Sequence, residues 1–381
     1  MQLSGEELTQ LIKSVFPKYP GDKKLGILLD IPREQSKDNP LWKQRRTIAM
    51  NWFKELKGSI SETGLEEVAL IAYPDVISNN ADLPGEAFFL DNILPVDEAE
   101  LKKVGTPVLF ESIFQDFQLF MAPTEFSTTA PLKNAGKKYG FRAATMPGFS
   151  PEMIPALRID YNEVARRVSI IKEKVDPTTG ADVVFIVDGK KEYGMYFDLR
   201  FRQSHLSSGR FPDKGTAGNL PSGETYIVPY EGEKGEKSKT EGILPVQLGD
   251  EVVYFTIKEN RAVEVDGEGV RAVDERDHLN REPAYGNMAE LGFGVLGDFG
   301  LKPINEILLD EKLGFHVAFG RSDHFGGAVG PSNFSSPKEV IHLDQIYIPA
   351  TQPRVVVKSI VFNYEDHRKE KIMENGNYLV F

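Results

Sequence analysis

The chain contains no cysteine in its 381 residues, which excludes disulfide bonds and thiolate metal ligands. Any metal site must therefore be built from histidine and carboxylate side chains. No stretch approaches the roughly 18 uncharged apolar residues of a membrane-spanning helix, so we expect no membrane span. Acidic residues outnumber basic ones by 57 to 45, and the net charge of −12 disfavours nucleic acids and anionic membranes as partners.

The rest of the composition is typical of a globular protein, with 40% hydrophobic and 27% charged residues. The length predicts two domains of ordinary size. The first residues mix acids and bases and lack the apolar segment of a signal peptide, so we expect a cytoplasmic protein.

The first 160 residues alternate between strand and helix patterns. Short apolar runs such as "LGILLDIP" (25–32), "EVALIAYPDV" (67–76) and "FQLFMAP" (117–123) predict buried strands. The segments "WKQRRTIAMNWFKELKG" (42–58) and "PLKNAGKKYG" (131–140) predict helices between them. This order predicts that residues 1–160 form an N-terminal α/β domain with a mostly parallel sheet.

The second half of the chain has a different pattern. Asp160 and Glu163 fit a capping box at the start of a helix, and two hairpins follow in 182–197 and 251–265. The tail, "RVVVKSIVFNYE" (354–365), again predicts a strand. Residues 161–381 are therefore predicted to form a β-rich α+β domain.

Histidine is scarce, and three of the six histidines lie between residues 316 and 342. If "EVIHLDQIYIP" is a strand, His342 and Asp344 point to the same face. Such a pair also fits a simple hydrogen bond at a surface. The segment 310–320 predicts a helix that frays at Gly320, and two helical turns would place His316 and Asp323, seven residues apart, on one face if the helix continues past that glycine. His316 alone also fits a buried core histidine.

Two glutamates lie beside apolar segments with the pattern of a strand. They are Glu224 in "GNLPSGETYIVP" and Glu290 in "NMAELGFGVLG". A buried glutamate needs a partner, whereas each of these by itself could face solvent. Together with His316, His342 and Asp344 they make three carboxylates and two imidazoles. That set suits zinc, cobalt or manganese and has enough oxygens to bridge two divalent ions.

Several segments of the chain resemble the aminopeptidase T family of metallopeptidases, the thermophilic metalloproteases. They are "GNLPSGETYIVP", "AELGFG", "LDEKLGFHVAFG" and "IHLD", and "MAPTEFSTTAPLKNAGKKYGFRAATMPGFS" resembles the family's N-terminal domain. The resemblance implies a homodimeric metallo-aminopeptidase that hydrolyses N-terminal residues of short peptides with a two-metal-activated water. It also implies five metal ligands, namely Glu224, Glu290, His316, His342 and Asp344. All five lie in residues 161–381, which we therefore expect to be the C-terminal metal-binding catalytic domain.

The chain departs from this family at one position near the implied metals. Seven residues after the histidine that matches His316, the family usually has a tyrosine, whereas this chain has Asp323 followed by His324. Asp323 is therefore a candidate ligand in place of that tyrosine, with His324 assisting. The alternative is that the second metal position, or the reaction itself, differs from that of the family. Glu311 matches an acidic position of the family and is the candidate general base, although it also suits a helix N-terminus.

Two other functions fit the same residues. His316, His342 and Asp344 alone form the two-histidine, one-carboxylate set of non-haem Fe(II) enzymes, and ring-cleaving dihydroxypyridine dioxygenases are relatives of the family. The retention of Glu224 and Glu290 favours hydrolysis, because a single iron needs only three protein ligands. A non-catalytic, metal-stabilised protein is the third possibility. His205, which precedes the Glu224 strand, either faces substrate or lies in a solvated loop.

Overall fold

The computed structural model describes residues 2–381 and divides the chain into two compact units. The first unit contains the residues up to Ala165 and the segment Ser207–Ser222. The second unit contains Arg166–Leu206 and Gly223–Phe381. Within the described residues, no helix has the length and apolar character needed to cross a membrane.

The first unit is built on a seven-stranded sheet in the order β10-β6-β5-β1-β2-β3-β4. Its strands are β1 (Lys24–Ile31), β2 (Glu67–Pro74), β3 (Glu86–Leu90), β4 (Thr106–Leu109), β5 (Leu119–Ala122), β6 (Arg142–Thr145) and β10 (Ala217–Asn219). The five strands from β10 to β2 run parallel, and β3 and β4 add antiparallel strands at one edge. The predicted α/β class with a mostly parallel sheet is therefore confirmed.

Helix α1 (Gly5–Val15) precedes β1, and the helices between the strands are α2 (Pro40–Gly58), α3 (Ile60–Thr63), α4 (Glu98–Val104), α5 (Phe110–Asp116) and α6 (Thr129–Tyr139). The longest, α2, begins where the Asn39 side chain accepts the Trp42 N–H and where Pro40 occupies the first turn. Strand β1 is buried along almost its whole length, as expected of a central strand covered on both faces.

The second unit contains helices α7 (Tyr161–Val175, from Arg166 onward), α8 (Val270–Arg281) and α9 (Ile307–Asp310) and two sheets. The larger sheet has eight strands in the order β14-β13-β12-β8-β7-β18-β19-β20, and each adjacent pair is antiparallel. These strands are β7 (Thr178–Val187), β8 (Lys191–Asp198), β12 (Glu241–Leu248), β13 (Glu251–Lys258), β14 (Arg261–Asp266), β18 (Val355–Tyr364), β19 (Lys369–Glu374) and β20 (Asn377–Tyr378). The predicted β-rich α+β character of this half is confirmed.

The smaller sheet has five strands in the order β17-β16-β15-β11-β9. They are β9 (His205–Ser207), β11 (Glu224–Ile227), β15 (Met288–Gly294), β16 (Phe315–Gly320) and β17 (His342–Ile346). The sequence-based expectation of a helix over 310–320 was wrong, because helix α9 ends at Asp310 and β16 begins at Phe315. Strand β16 lies between β15 and β17 and is buried on both faces, so its short apolar run lacks the period of two that marks a strand.

Candidate metal centre

The register of the five-stranded sheet brings the predicted site residues onto one face. Residues that pair directly across antiparallel strands point to the same side of the sheet. The pairs are Glu224 with Gly294, Tyr226 with Gly292, Gly292 with His316, Glu290 with Ala318, Ala318 with Asp344, and Gly320 with His342. Four separate strands thus present three carboxylates and two imidazoles to the same side.

A β-bulge in β15 determines which side chains of this strand point toward the site. Met288 pairs with Phe319, whereas Glu290 pairs with Ala318, so Ala289 is the extra residue. The bulge turns Met288 toward the opposite face, where it is fully buried, and leaves Glu290 on the site face.

Glycine at position 292 makes room for one of the imidazoles. A Cβ atom at this position would lie 1.9 Å from Nε2 of His316. The His316 ring therefore occupies the space that a side chain on β15 would fill. Any larger residue at position 292 would displace this ring from the site.

Glu290 lies between the two imidazoles and contacts each with a different oxygen. Its Oε1 is 3.3 Å from Nε2 of His316, and its Oε2 is 3.3 Å from Nε2 of His342. The Nδ1 atoms of the two rings face backbone carbonyls, of Gly314 at 3.2 Å and of Arg321 at 2.8 Å. Because a carbonyl only accepts, each Nδ1 carries the hydrogen and each Nε2 is directed toward carboxylates.

Two further carboxylates complete the cluster at its ends. Glu224 Oε2 lies 3.6 Å from Nε2 of His316, and Asp344 Oδ1 lies 3.6 Å from Nε2 of His342. Both of these oxygens are buried and have no hydrogen-bond partner among residues 2–381. A buried carboxylate oxygen that faces an imidazole nitrogen is stabilised by positive charge between them, either a proton on the nitrogen or a bound metal ion.

The cluster therefore contains two overlapping donor sets that could hold a metal ion. The first is Glu224, Glu290 and His316, and the second is Glu290, His342 and Asp344. In each set one ligand atom per residue lies within 4.8 Å of the others. Imidazole and carboxylate are ligands suited to first-row divalent metals, so the residues present fit such ions.

The charges of this cluster shift its pKa values strongly. Burial alone would lower the pKa of His316, but the hydrogen bond and charge of Glu290, with Glu224 and Asp344, outweigh burial and raise it to about 10. Burial likewise opposes the charged form of His342, yet Asp344 and Glu290 raise its pKa well above the usual range. The two imidazoles hold the pKa of Glu290 below its usual value against the effect of burial. The cluster therefore strongly favours positive charge at the imidazole positions.

A buried lysine lies beside the first donor set. Lys312 is 2% exposed, and its Nζ donates to Glu224 Oε1 at 2.6 Å and to the carboxylate of Glu311. Burial opposes its charge, but Glu224 and Glu311 keep its pKa raised. Burial, together with the charges of Glu224 and Asp344, raises the pKa of Glu311 to about 8 in spite of Lys312.

Asp323 lies apart from both donor sets. Its Oδ1 accepts from Nε of Arg321 at 2.5 Å, and this partner lowers the pKa of the carboxyl. The neighbouring His324 ring lies 5.3 Å from the His342 ring in an edge-to-face arrangement. Burial, with the positive charges of His342 and Arg321, lowers the pKa of His324 to about 4. A metal-ligating role for Asp323 stays a prediction.

The sequence reasoning missed Lys312 and Tyr226. Lys312 directly follows Glu311 in the charged segment "DEKLG", so no local signal marks it as buried. Tyr226 could have been found from the sequence. It lies two residues after Glu224 in a segment with a strand pattern, so both side chains point to the same face of the sheet.

Comparison with known proteins is informative at the level of the fold. No family model matches the sequence, and no curated protein matches it. The structure is similar to that of 2,5-dihydroxypyridine dioxygenase from Pseudomonas putida KT2440, with TM-score 0.59, 14% identity, and coverage of 100% of this chain and 99% of that one. It is also similar to wild-type AmpT from Thermus thermophilus, with TM-score 0.54, 14% identity, and coverage of 99% and 98%.

The chain shares its fold with both proteins. The similarity covers nearly all of each chain, so it includes both units. The similarity to AmpT supports a distant, aminopeptidase-like fold for this chain. No sequence-family model adds to that support.

Proposed function

We propose that this protein is a metal-dependent hydrolase, an aminopeptidase that removes N-terminal residues from short peptides. The observation that carries the proposal is the arrangement of Glu290, whose two oxygens face two separate imidazoles. A carboxylate used in this way is suited to bridge two cations. The likeness of fold to AmpT and the sequence motifs support peptides as the substrate class.

Five residues would hold two divalent ions. Glu224 and His316 would bind one, His342 and Asp344 the other, and Glu290 would contact both. Such ions, when bound, supply Lewis acidity toward a carbonyl oxygen and an activated water at neutral pH. The hydrogen bonds from both Nδ1 atoms to backbone carbonyls hold the two rings in place, with each Nε2 aimed into the cluster.

Glu311 is the proposed proton carrier. Its side chain is 18% exposed and lies next to Glu224 through their common partner Lys312. Burial and the charges of Glu224 and Asp344 raise the pKa of this carboxyl to about 8 in the metal-free protein, which suits a group that exchanges a proton near neutral pH. Lys312 fixes the position of both carboxylates, because its ammonium group is bound to Glu224 and Glu311 at once.

Ring cleavage by a single iron is the second candidate reaction. The likeness of fold to the dihydroxypyridine dioxygenase favours it, with a TM-score of 0.59 over the whole chain. In that case His316, His342 and one carboxylate would form a two-histidine, one-carboxylate set for Fe(II). The two donor sets of the cluster favour the hydrolase, because a single ion leaves one of them unused.

Metal analysis and a hydrolysis assay separate the two reactions. We expect the protein purified without added metal to bind two zinc, cobalt or manganese ions per chain and to hydrolyse chromogenic aminoacyl amides. Chelation should abolish hydrolysis, and restoring the metal should recover it. One iron per chain with oxygen uptake on dihydroxypyridines would support the dioxygenase. Absence of bound metal, with thermal unfolding unchanged by chelation, would refute both.

A further inference from the structure

Aromatic side chains form a continuous wall that begins at the candidate metal centre. The ring of Phe325 lies edge-to-face against His342, with centroids 5.5 Å apart, and edge-to-face against Tyr226 at 4.8 Å. Tyr226 in turn stacks on His205, at 5.1 Å and an interplanar angle of 22°. His324 packs on Phe325 at 3.9 Å. We call His205, Tyr226, His324 and Phe325 the aromatic wall.

The wall adjoins the cluster directly and is open to solvent. Tyr226 is on the site face of β11, two residues from Glu224, and Phe325 touches the ring of His342. His205 is exposed, the side chain of His324 is 35% exposed, and Tyr226 and Phe325 are half-buried. Rings in this position border any molecule that reaches the metal-ligating side chains from this side.

The segment that carries Phe325 is held firmly in place. His205 Nε2 bonds to the carbonyl of Phe325 at 2.8 Å, and Arg202 donates to the carbonyl of Gly326 at 3.1 Å. The buried carboxylate of Glu231 accepts from Ser322 Oγ at 2.6 Å and from the N–H of Ala328. A binding surface whose rings are already ordered loses little entropy when a ligand arrives.

We propose that the aromatic wall is a substrate subsite that binds a planar aromatic ring next to the metal centre. Aromatic side chains favour another ring through offset or edge-to-face contacts, in addition to the burial of apolar area. Two sources of such a ring are consistent with this chemistry: the side chain of an aromatic N-terminal residue, and a free aromatic compound. The inference rests on the proposed function insofar as the adjoining cluster is the reaction centre.

The test compares flat rings with saturated rings of similar size. Binding of L-phenylalaninol and L-cyclohexylalaninol, which carry no hydrolysable amide, is measured by calorimetry on the purified protein, before and after chelation. Phenol and cyclohexanol form the second pair and stand for a free ring. We expect the flat member of at least one pair to bind about two- to tenfold more tightly, the worth of one aromatic contact.

Variants assign the preference to the wall. Phe325→Leu and Tyr226→Leu keep apolar bulk but remove a ring, and each should abolish the preference for the flat ligand. Tyr193→Leu is the matched control, because that ring packs against Tyr254 at 4.9 Å and under Lys191 on the eight-stranded sheet, away from the aromatic wall. A preference that survives both wall variants would overturn the inference.

The outcomes also identify the source of the ring. A preference in the amino-alcohol pair alone supports an aromatic N-terminal residue, and a preference in the phenol pair alone supports a free aromatic compound. Equal binding within both pairs overturns the subsite. If peptides are not hydrolysed but the ring preference persists, the proposed function fails and the subsite stands. If hydrolysis is found without any ring preference, only the subsite is refuted.

Discussion

Replacing Gly292 with alanine should remove one of the two proposed cation positions without altering any ligand residue. A Cβ at this position would lie 1.9 Å from His316 Nε2, 2.2 Å from Cε1 and 2.5 Å from Cδ2. An ordinary van der Waals contact is about 3.5 Å, so the ring has to withdraw by about 1.5 Å. A movement of that size breaks the 3.3 Å contact with Glu290 and the 3.6 Å approach to Glu224.

The size of the effect follows from the packing around the ring. His316 is 0% exposed, so the displaced imidazole has no free space and must push on its neighbours. Overpacking of a buried position costs about 1–3 kcal/mol of unfolding free energy. Metal content should fall from two ions to one, because Glu290, His342 and Asp344 remain in place on the other side.

Denaturant unfolding and metal analysis of the Gly292→Ala protein test this reasoning. Gly194→Ala is the matched control, since Gly194 also lies within a strand but its Cβ would meet nothing within 4 Å. The control should be neutral or stabilising by up to ~1 kcal/mol, because glycine is unfavourable inside a strand. A Gly292→Ala protein with two ions and unchanged stability would show that the His316 ring is not held where we describe it.

Three other substitutions have definite expected results. Glu290→Gln keeps the size of the side chain but removes the charge that both donor sets share. The metal content should therefore fall below one ion per chain. Retention of two ions would contradict the proposed position of Glu290 between two cations. Lys312→Met leaves the carboxylates of Glu224 and Glu311 buried without their common partner. The free energy of unfolding, measured by chemical denaturation, should fall by about 3–5 kcal/mol in the metal-free protein and by less when metal is bound. A decrease below ~1 kcal/mol would count against the ion pairs. Burial raises the pKa of the Asp30 carboxyl, in the first unit, from 3.8 to about 6. The protonated carboxyl therefore contributes fully to the free energy of unfolding below pH 3.8. This contribution, about 3 kcal/mol, is lost as the pH rises from 3.8 through about 6. Unfolding free energies from pH 4 to 7 should show this fall in the natural protein and not in Asp30→Asn, and equal slopes would exclude Asp30 as its source.

The sequence predicted the general architecture because its signals are local. Buried parallel strands are short apolar runs, and α2 carries its own start at Asn39–Pro40 and its own end at Gly58. The strand containing His342 and Asp344 was also predicted, since alternation alone places both residues on one face. These features require no knowledge of distant parts of the chain.

The centre of the site needed information that the local sequence lacks. The sequence "FHVAFG" forms a strand because β15 and β17 pair with it on both sides, and only that pairing places His316 across from Gly292. The bulge at Ala289 and the burial of Lys312 depend on the same long-range register. Residue types predicted which side chains were chemically suitable; tertiary pairing determined which of them meet.

The order of the five clustered side chains bears on the number of ions. Carboxylates and imidazoles alternate from Glu224 through His316, Glu290 and His342 to Asp344, with oxygen–nitrogen separations of 3.6, 3.3, 3.3 and 3.6 Å. The arrangement is nearly symmetric about Glu290, so each imidazole lies between two carboxylates in the same way. A single ion held by one of the two donor sets would satisfy one imidazole and leave the other dependent on a proton. Two ions would satisfy both, together with the two buried oxygens that lack partners among residues 2–381, and this is the reason for proposing two-metal hydrolysis ahead of chemistry at a single iron.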